Sequence, residues 1–456
     1  MPRPRLLPSR GIGWWALSVA VALLTARLTM DSVQFGCAIA ILVLTVCLYV
    51  RDRTAGLVAV WLVWLLVPLL RRILFQYVPS FGTDPLAVVP FLVTAAVVSF
   101  ELSQATLSRR TRRLLLLGVG GYAIGLPLGT LASPKTAAFA LFAYLTALGC
   151  FVIGYREAEQ KRLTLPSVLM IVTPLLALYA FRQYYFPLPK WDLTWLHTAG
   201  VTSATSSETG RIRVWSTLNS PATFATVLGV AAITLVTWRK LTPVRLVSIF
   251  AVLGALALTY VRSVWAAILF TGVAILLATR GGALKRLGPV IILLVLLAPV
   301  VLGGSTRAAI SDRFGTFGSL GQDTSAQARL GTSGGLIPQA FATPLGNGLG
   351  SAGEANKLSG SEGLRYSDNG YLAVLVQTGP VGFLTIISVI IVAIASACRN
   401  VWRRGDPTNV LVFGALTFLA VTMVAGDVLF GITGMIFWYL CGLAVRRREL
   451  LEEAKS

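Results

Sequence analysis

Apolar runs long enough to cross a bilayer recur along almost the whole chain, joined mostly by short basic connectors. In hydrocarbon every backbone polar group needs an internal partner, so such runs can fold only as transmembrane helices or as strands of a closed barrel. Nothing in the pattern alternates as barrel strands do. With 55% hydrophobic and 12% charged residues and a mean hydropathy of +0.76 over 456 residues, the apolar content exceeds what one soluble core needs. The chain reads as an all-α polytopic membrane protein. Fourteen spans are expected, near 13–30, 33–50, 55–70, 86–102, 114–132, 136–154, 164–184, 219–238, 243–260, 262–279, 287–303, 380–397, 409–425 and 428–444.

Most of the 39 lysines and arginines fall in alternate connectors once both termini are placed in the cytoplasm. Those connectors carry Arg51 and Arg53, "RRTRR" at 109–113, Arg156 with Arg162, Arg239 with Lys240, Arg280 with Lys285, Arg399 with Arg403, and Arg446 to Arg448. The net charge of +21 therefore reflects topology and an anionic inner leaflet rather than nucleic acid. The first apolar run, preceded by Arg3 and Arg5, reads as an uncleaved span. Five cysteines lie within or at the ends of spans, and the single histidine, His197, cannot anchor a zinc site alone. No disulfide framework, metal site or cofactor is expected.

The polar chemistry gathers in two long connectors on the expected outer side. The organisation reads as an N-terminal bundle over 1–184, a first outer loop over 185–218 and spans over 219–303. A large outer loop with short helices over 304–379 and closing spans with a cytoplasmic tail over 380–456 complete it. Transporters tend instead to place their sites at mid-membrane between related halves.

Four stretches in or beside these loops bear reactive groups. "GRIRVWSTLNSPATF" sets Arg211 and Arg213 ahead of Asn219 and a Ser-Pro helix start. That is either an ordinary helix entrance or an anion site, since guanidinium forks and helix N-termini both favour phosphate oxygens. "YVRSVWAAILF" places Arg262 in a very tight outer hairpin, where it either snorkels or holds a fixed anion. Arg329 precedes the Pro344-x-Gly346-x-Gly348 turn within "AQARLGTSGGLIPQAFATPLGNGLGSAG", and no Walker-type sequence appears. "YSDNGYLAVLVQTGPVG" reads as a helix with Asp368 near its N-cap, stopped by Gly379-Pro380 and too short to span. Asp368 serves as a plain cap, or as a cap that also accepts a proton at a partly dehydrated site.

Taken together, Arg262 in "RSVWAAIL", the Arg-x(14)-Pro-x-Gly-x-Gly stretch from Arg329, "DNGYL…GPVG" and "RVWSTLNSPATFATVL" resemble the O-antigen ligase and O-antigen/exopolysaccharide polymerase superfamily. The resemblance covers roughly 205–400. Its motifs are short and degenerate, so their order and the topology carry as much of it as the letters. Ligases of this group show His-Asn where this chain has Asp368-Asn369, and Asp-Asn with fourteen spans looks more like the polymerase branch. The resemblance implies a metal-independent, GT-C-like glycosyltransferase of the bacterial inner membrane whose site faces the periplasm. Its donor would be an undecaprenyl-diphosphate-linked glycan, and membrane lipids and a chain-length regulator would be further partners.

The corresponding chemistry is inverting transfer of the glycan to a sugar hydroxyl. Arg262 and Arg329, with Arg211 or Arg213 and Asn219, would hold the departing diphosphate. Asp368 would be the general base. Asn369, Tyr371, Glu354 and Glu362 would support it or the acceptor. Three rivals stand beside the polymerase reading: a ligase, a lipid-linked oligosaccharide flippase, and a scaffold protein.

Overall fold

The computed structural model describes residues 32–77, 84–160, 162–198, 204, 212–238, 241–282, 338, 340, 341, 343–354, 356 and 369–454. The helices are α1 Ser32–Arg51, α2 Arg53–Phe75, α3 Pro85–Gln104, α4 Arg109–Ile124 and α5 Leu126–Ala132. They continue with α6 Pro134–Gln160, α7 Thr164–Tyr185, α8 Lys190–Thr198, α9 Pro221–Thr237 and α10 Pro243–Leu258. The last are α11 Arg262–Ala278, α12 Gly370–Arg403, α13 Pro407–Thr422 and α14 Gly431–Glu453. Among the described residues eight helices are long and apolar enough to cross a membrane, counting α4 with α5, and α9, α10 and α11 are shorter apolar helices. The chain is thus an all-helical, multi-pass membrane protein over these residues. The expected spans 13–30 and 287–303 lie outside the described residues.

The helices start and stop where local chemistry tells them to. Asp52, Asp84, Ser108 and Asp406 each accept a hydrogen bond from a backbone N–H of the first turn of α2, α3, α4 and α13. Proline stands in the first turn of α3, α9, α10 and α13, where a missing N–H costs nothing.

At the centre α6 and α14 pack on each other along most of their length. A Cβ at Gly154 would overlap the Tyr439 carbonyl, and one at Gly442 would overlap that of Phe151. The two backbones therefore touch. Lipid tails give no hydrophobic drive between helices, so close approach at small residues supplies the packing energy instead.

The basic connectors meet at one end of the bundle. Glu101, fully buried, accepts from Arg53 Nε at 2.7 Å, Arg156 Nη1 at 2.6 Å and the Tyr49 hydroxyl at 2.6 Å. Arg446 reaches Glu159 at 3.1 Å, Arg447 reaches Asp406 at 2.8 Å, and Glu449 accepts from Ser108 at 2.6 Å and Thr111 at 2.8 Å. These bonds tie the starts of α2, α4 and α13 to the ends of α3, α6 and α14. Such a gathering is what alternating helices with basic connectors on one side require.

Candidate active site at the opposite end of the bundle

The end away from the basic connectors is built from polar backbone. The first of its two parts is the segment 212–220, which leads into α9. Its residues Val214 to Leu218 are buried, so their backbone groups need partners. The Trp215 and Ser216 amides donate to Gln183 Oε1 at 3.3 and 2.7 Å, and the Thr217 hydroxyl donates to the Leu65 carbonyl at 2.6 Å. On its other side the Val214 amide donates to the Leu258 carbonyl at 3.3 Å, and Arg213 Nε donates to the Thr259 carbonyl at 3.1 Å.

Thr259 begins the three-residue turn between α10 and α11. Tyr260 holds φ +53 there, its hydroxyl 2.9 Å from that of Tyr184, and Arg262 opens α11. Arg213 and Arg262, far apart in sequence, therefore come to one turn. Asn219 sits at the entrance of α9, its Oδ1 accepting no hydrogen bond among the described residues. Arg211 and Arg329 lie outside the described residues.

The second part is the glycine loop 343–354, inserted between helix breaks. Gly346, Gly348, Gly350 and Gly353 all adopt positive φ, at 75°, 101°, 85° and 75°. The Asn347 amide donates to the Val376 carbonyl at 2.7 Å, and the Leu349 amide donates at 2.7 Å to the carbonyl of Gly125, where α4 gives way to α5. Gly350 N donates to Gln377 Oε1 at 2.9 Å, while Gln377 Nε2 donates to the Tyr144 hydroxyl at 3.1 Å. One buried glutamine thus satisfies the loop, α6 and its own helix.

At Gly348 a side chain meets two obstacles, the left-handed φ and the Gly129 backbone, which a Cβ would overlap. Each costs on the order of 1–3 kcal/mol. Gly348→Ala should therefore lower the thermal midpoint of the purified protein by several degrees, whereas Gly120→Ala, with nothing within 4 Å of its Cβ, should not. Equal midpoints for the two variants would show that the loop is not wedged at Gly129.

The helix after the loop begins at Gly370 and breaks at Gly379, φ 66° and ψ 179°, just before Pro380. The break falls where the Gly-Pro pair predicts it. From Leu372 to Thr378 this half-helix is buried against the rest of the protein.

The cap differs from the expectation. Asn369, not Asp368, is the N-cap, its side chain accepting from the Leu372 amide at 3.1 Å. Asn and Asp cap about equally well, so the neighbouring pair left the choice to the register of the first turn. Asp368 itself lies outside the described residues, as does Glu362. Tyr371 donates to the Ala420 carbonyl at 2.9 Å and so ties α12 to α13.

Sequence reasoning passed over Asp427, in the short turn between α13 and α14. Its Oδ2 accepts from the Glu354 amide at 3.3 Å, and a Cβ at Gly353 would stand 2.7 Å from that oxygen. Gly370 packs against the same turn, a Cβ there coming 3.4 Å from the Asp427 Cα. The signal in the sequence was an acidic residue in a connector on the non-basic side, flanked by Gly426 and an apolar run. Because α11 and α13 run side by side in opposite senses, with Ile275 against Gly414, the Arg262 end of α11 and the Thr422 end of α13 share this face.

No curated protein matches the chain. A family model described as O-Antigen ligase matches residues 247–387, from within α10 to just past the break at Gly379. Arg262, Arg329, the glycine loop, Asp368 and Asn369 all lie inside that stretch, and Arg211, Arg213 and Asn219 precede it. Over that stretch, under half of the chain, the protein is similar to the O-antigen ligase family.

Proposed function

We propose that the protein is a glycan polymerase that joins lipid-linked oligosaccharide repeats at the outer face of the bacterial inner membrane. The observation that carries this reading is the meeting of Arg213 and Arg262 at one turn, on the face opposite the basic connectors. The glycine loop and the start of α12 stand on that same face, and the superfamily match covers Arg262, the loop and this helix start.

The donor is a glycan on undecaprenyl diphosphate. An acceptor hydroxyl oxygen attacks the anomeric carbon from the side opposite the diphosphate, so the C–O bond to the diphosphate breaks and the configuration inverts. The leaving group departs as an anion, and Arg262, Arg329 and Arg213 or Arg211 meet its growing charge. Asn219 adds an amide at the same entrance. The hydroxyl proton passes to Asp368, with Glu354, Glu362 and Asp427 as the other carboxylates of the region. No metal is needed, because guanidinium groups supply the countercharge.

The test is transfer by the purified full-length chain in vesicles containing a polyprenyl-diphosphate-linked repeat. Products with two or more repeats on one lipid support the polymerase. Transfer only when a lipid A–core acceptor is added identifies a ligase, and movement of donor between leaflets without new bonds identifies a flippase. Topology gives a separate check: reporters at 109–113 and at the C-terminus should read cytoplasmic, and a reporter at 340 should read outside. A cytoplasmic signal at 340 overturns the outward-facing site.

A further inference from the structure

The last turn of α2 carries a guanidinium that the transfer chemistry leaves unused. Arg72 is 0% exposed, although it stands at the end of an apolar helix next to Arg71. Its Nη1 donates to the Leu218 carbonyl at 3.1 Å and its Nη2 to the Ser216 carbonyl at 2.5 Å. Its Nε faces Asp192 Oδ1 at 3.5 Å, and Asp192 is likewise 0% exposed. The Trp215 ring lies under the guanidinium, 5.9 Å from centroid to Cζ.

The other face of Asp192 is also held. Its Oδ2 accepts from the Tyr179 hydroxyl and from Gln183 Nε2, both at 2.8 Å. Gln183 Oε1 in turn takes the Ser216 amide. Ser216 therefore has its carbonyl on Arg72, its amide on Gln183 and its hydroxyl on the Leu176 carbonyl at 2.7 Å, in a left-handed conformation at φ 52°. A non-glycine residue there is strained, and the surrounding bonds over-determine it.

This clamp fixes the middle of 212–220. The ends of that segment are Arg213, bonded to the α10–α11 turn, and Asn219, at the mouth of α9. A planar guanidinium holds separate nitrogens rigidly toward the two carbonyls and the carboxylate, whereas an ammonium gathers its three donors on one compact, rotatable nitrogen. We infer that Arg72 is a positioning residue: by holding the Ser216 and Leu218 carbonyls from behind, it sets Arg213 and Asn219 for the diphosphate. The inference rests on the proposed glycan transfer. It deepens that reading by assigning the buried group that shapes the anion-binding segment.

The test uses Arg72→Lys in the full-length protein, since lysine keeps a positive charge beside Asp192 and loses the fork. Amides at 214–218 should exchange faster than in the wild type. Transfer efficiency for the lipid-diphosphate donor should fall by roughly 10²-fold, the scale of a 1 Å misplacement. A role in folding alone would lower the amount of inserted protein and leave the activity of what remains unchanged.

The discriminating measurement is a double-mutant cycle with Arg213→Lys. If Arg72 acts through Arg213, the two losses are far from additive. If they multiply independently, or if exchange at 214–218 is unchanged, the inference is overturned. Should Arg72→Lys fail to insert, Gln183→Met releases the Ser216 amide without removing a buried charge and must show the same pattern. A wild-type chain that transfers no glycan overturns the proposed function, while the exchange measurement still decides whether Arg72 holds the segment.

Discussion

Asp368→Asn should leave the protein inserted, thermally unchanged and unable to extend glycans. The structure gives the cap to the neighbouring Asn369, one of the two roles expected of Asp368. Asn369 supplies the cap to α12, accepting from the Leu372 amide, so changing Asp368 does not uncap the helix. A general base must accept a proton, and an amide does not, so the rate should drop by about 10²–10⁴-fold. The matching control is Asn369→Ala, which should cost about 1 kcal/mol of stability through the lost cap. Cells carrying Asp368→Asn should accumulate or display single repeat units, because a separate ligase still attaches them. Loss of every attached glycan, single units included, would favour the ligase reading. If Asp368→Asn makes long chains at the wild-type rate and Asp427→Asn does not, the proton acceptor is Asp427, on the turn that bonds the Glu354 amide.

Arg262→Ala should lower transfer by about 10²–10³-fold, the range for removing one preorganised donor from a developing anion. The fold has little reason to fail, since Arg262 opens α11 at a half-buried position and the turn before it keeps its own backbone bonds. Arg329→Ala should behave alike if its guanidinium joins the same anion. Arg262→Lys should recover part of the activity, because an ammonium keeps the charge and loses the bidentate fork. Equal activity of wild type and Arg262→Ala, measured per inserted molecule, would remove Arg262 from the site.

The helical architecture was legible in the sequence because its cause is local. A run of apolar residues commits to a helix in lipid whatever its neighbours are, and the basic connectors fix which ends share a side. The same holds for the break at Gly379-Pro380 and for the hairpin before Arg262, each carried by adjacent residues. The candidate site was legible only in pieces. Arg213 and Arg262 were singled out separately, and their meeting at Thr259 depends on how α7, α9 and α10 pack.

Other assignments needed the tertiary structure outright. Arg72 reads in sequence as an ordinary basic residue ending a span, and only the folded chain shows it buried against Ser216, Leu218 and Asp192. Asp427 reads as a turn residue until the glycine loop brings the Glu354 amide to it. The cap fell to Asn369 rather than Asp368 because both residues cap well, and backbone register alone chooses between them.

By itself, then, the sequence determined that this chain crosses a membrane many times, which ends of its helices lie together, and which superfamily it resembles. Tertiary structure decided which polar groups meet: the clamp on 212–220, the docking of the glycine loop at Gly125 and Gln377, and the backbone contact of Gly154 with Gly442. The reason is range. Hydropathy and helix breaking act over a few residues of chain, whereas a buried hydrogen bond joins groups whose separation along the chain carries no record of their distance in space.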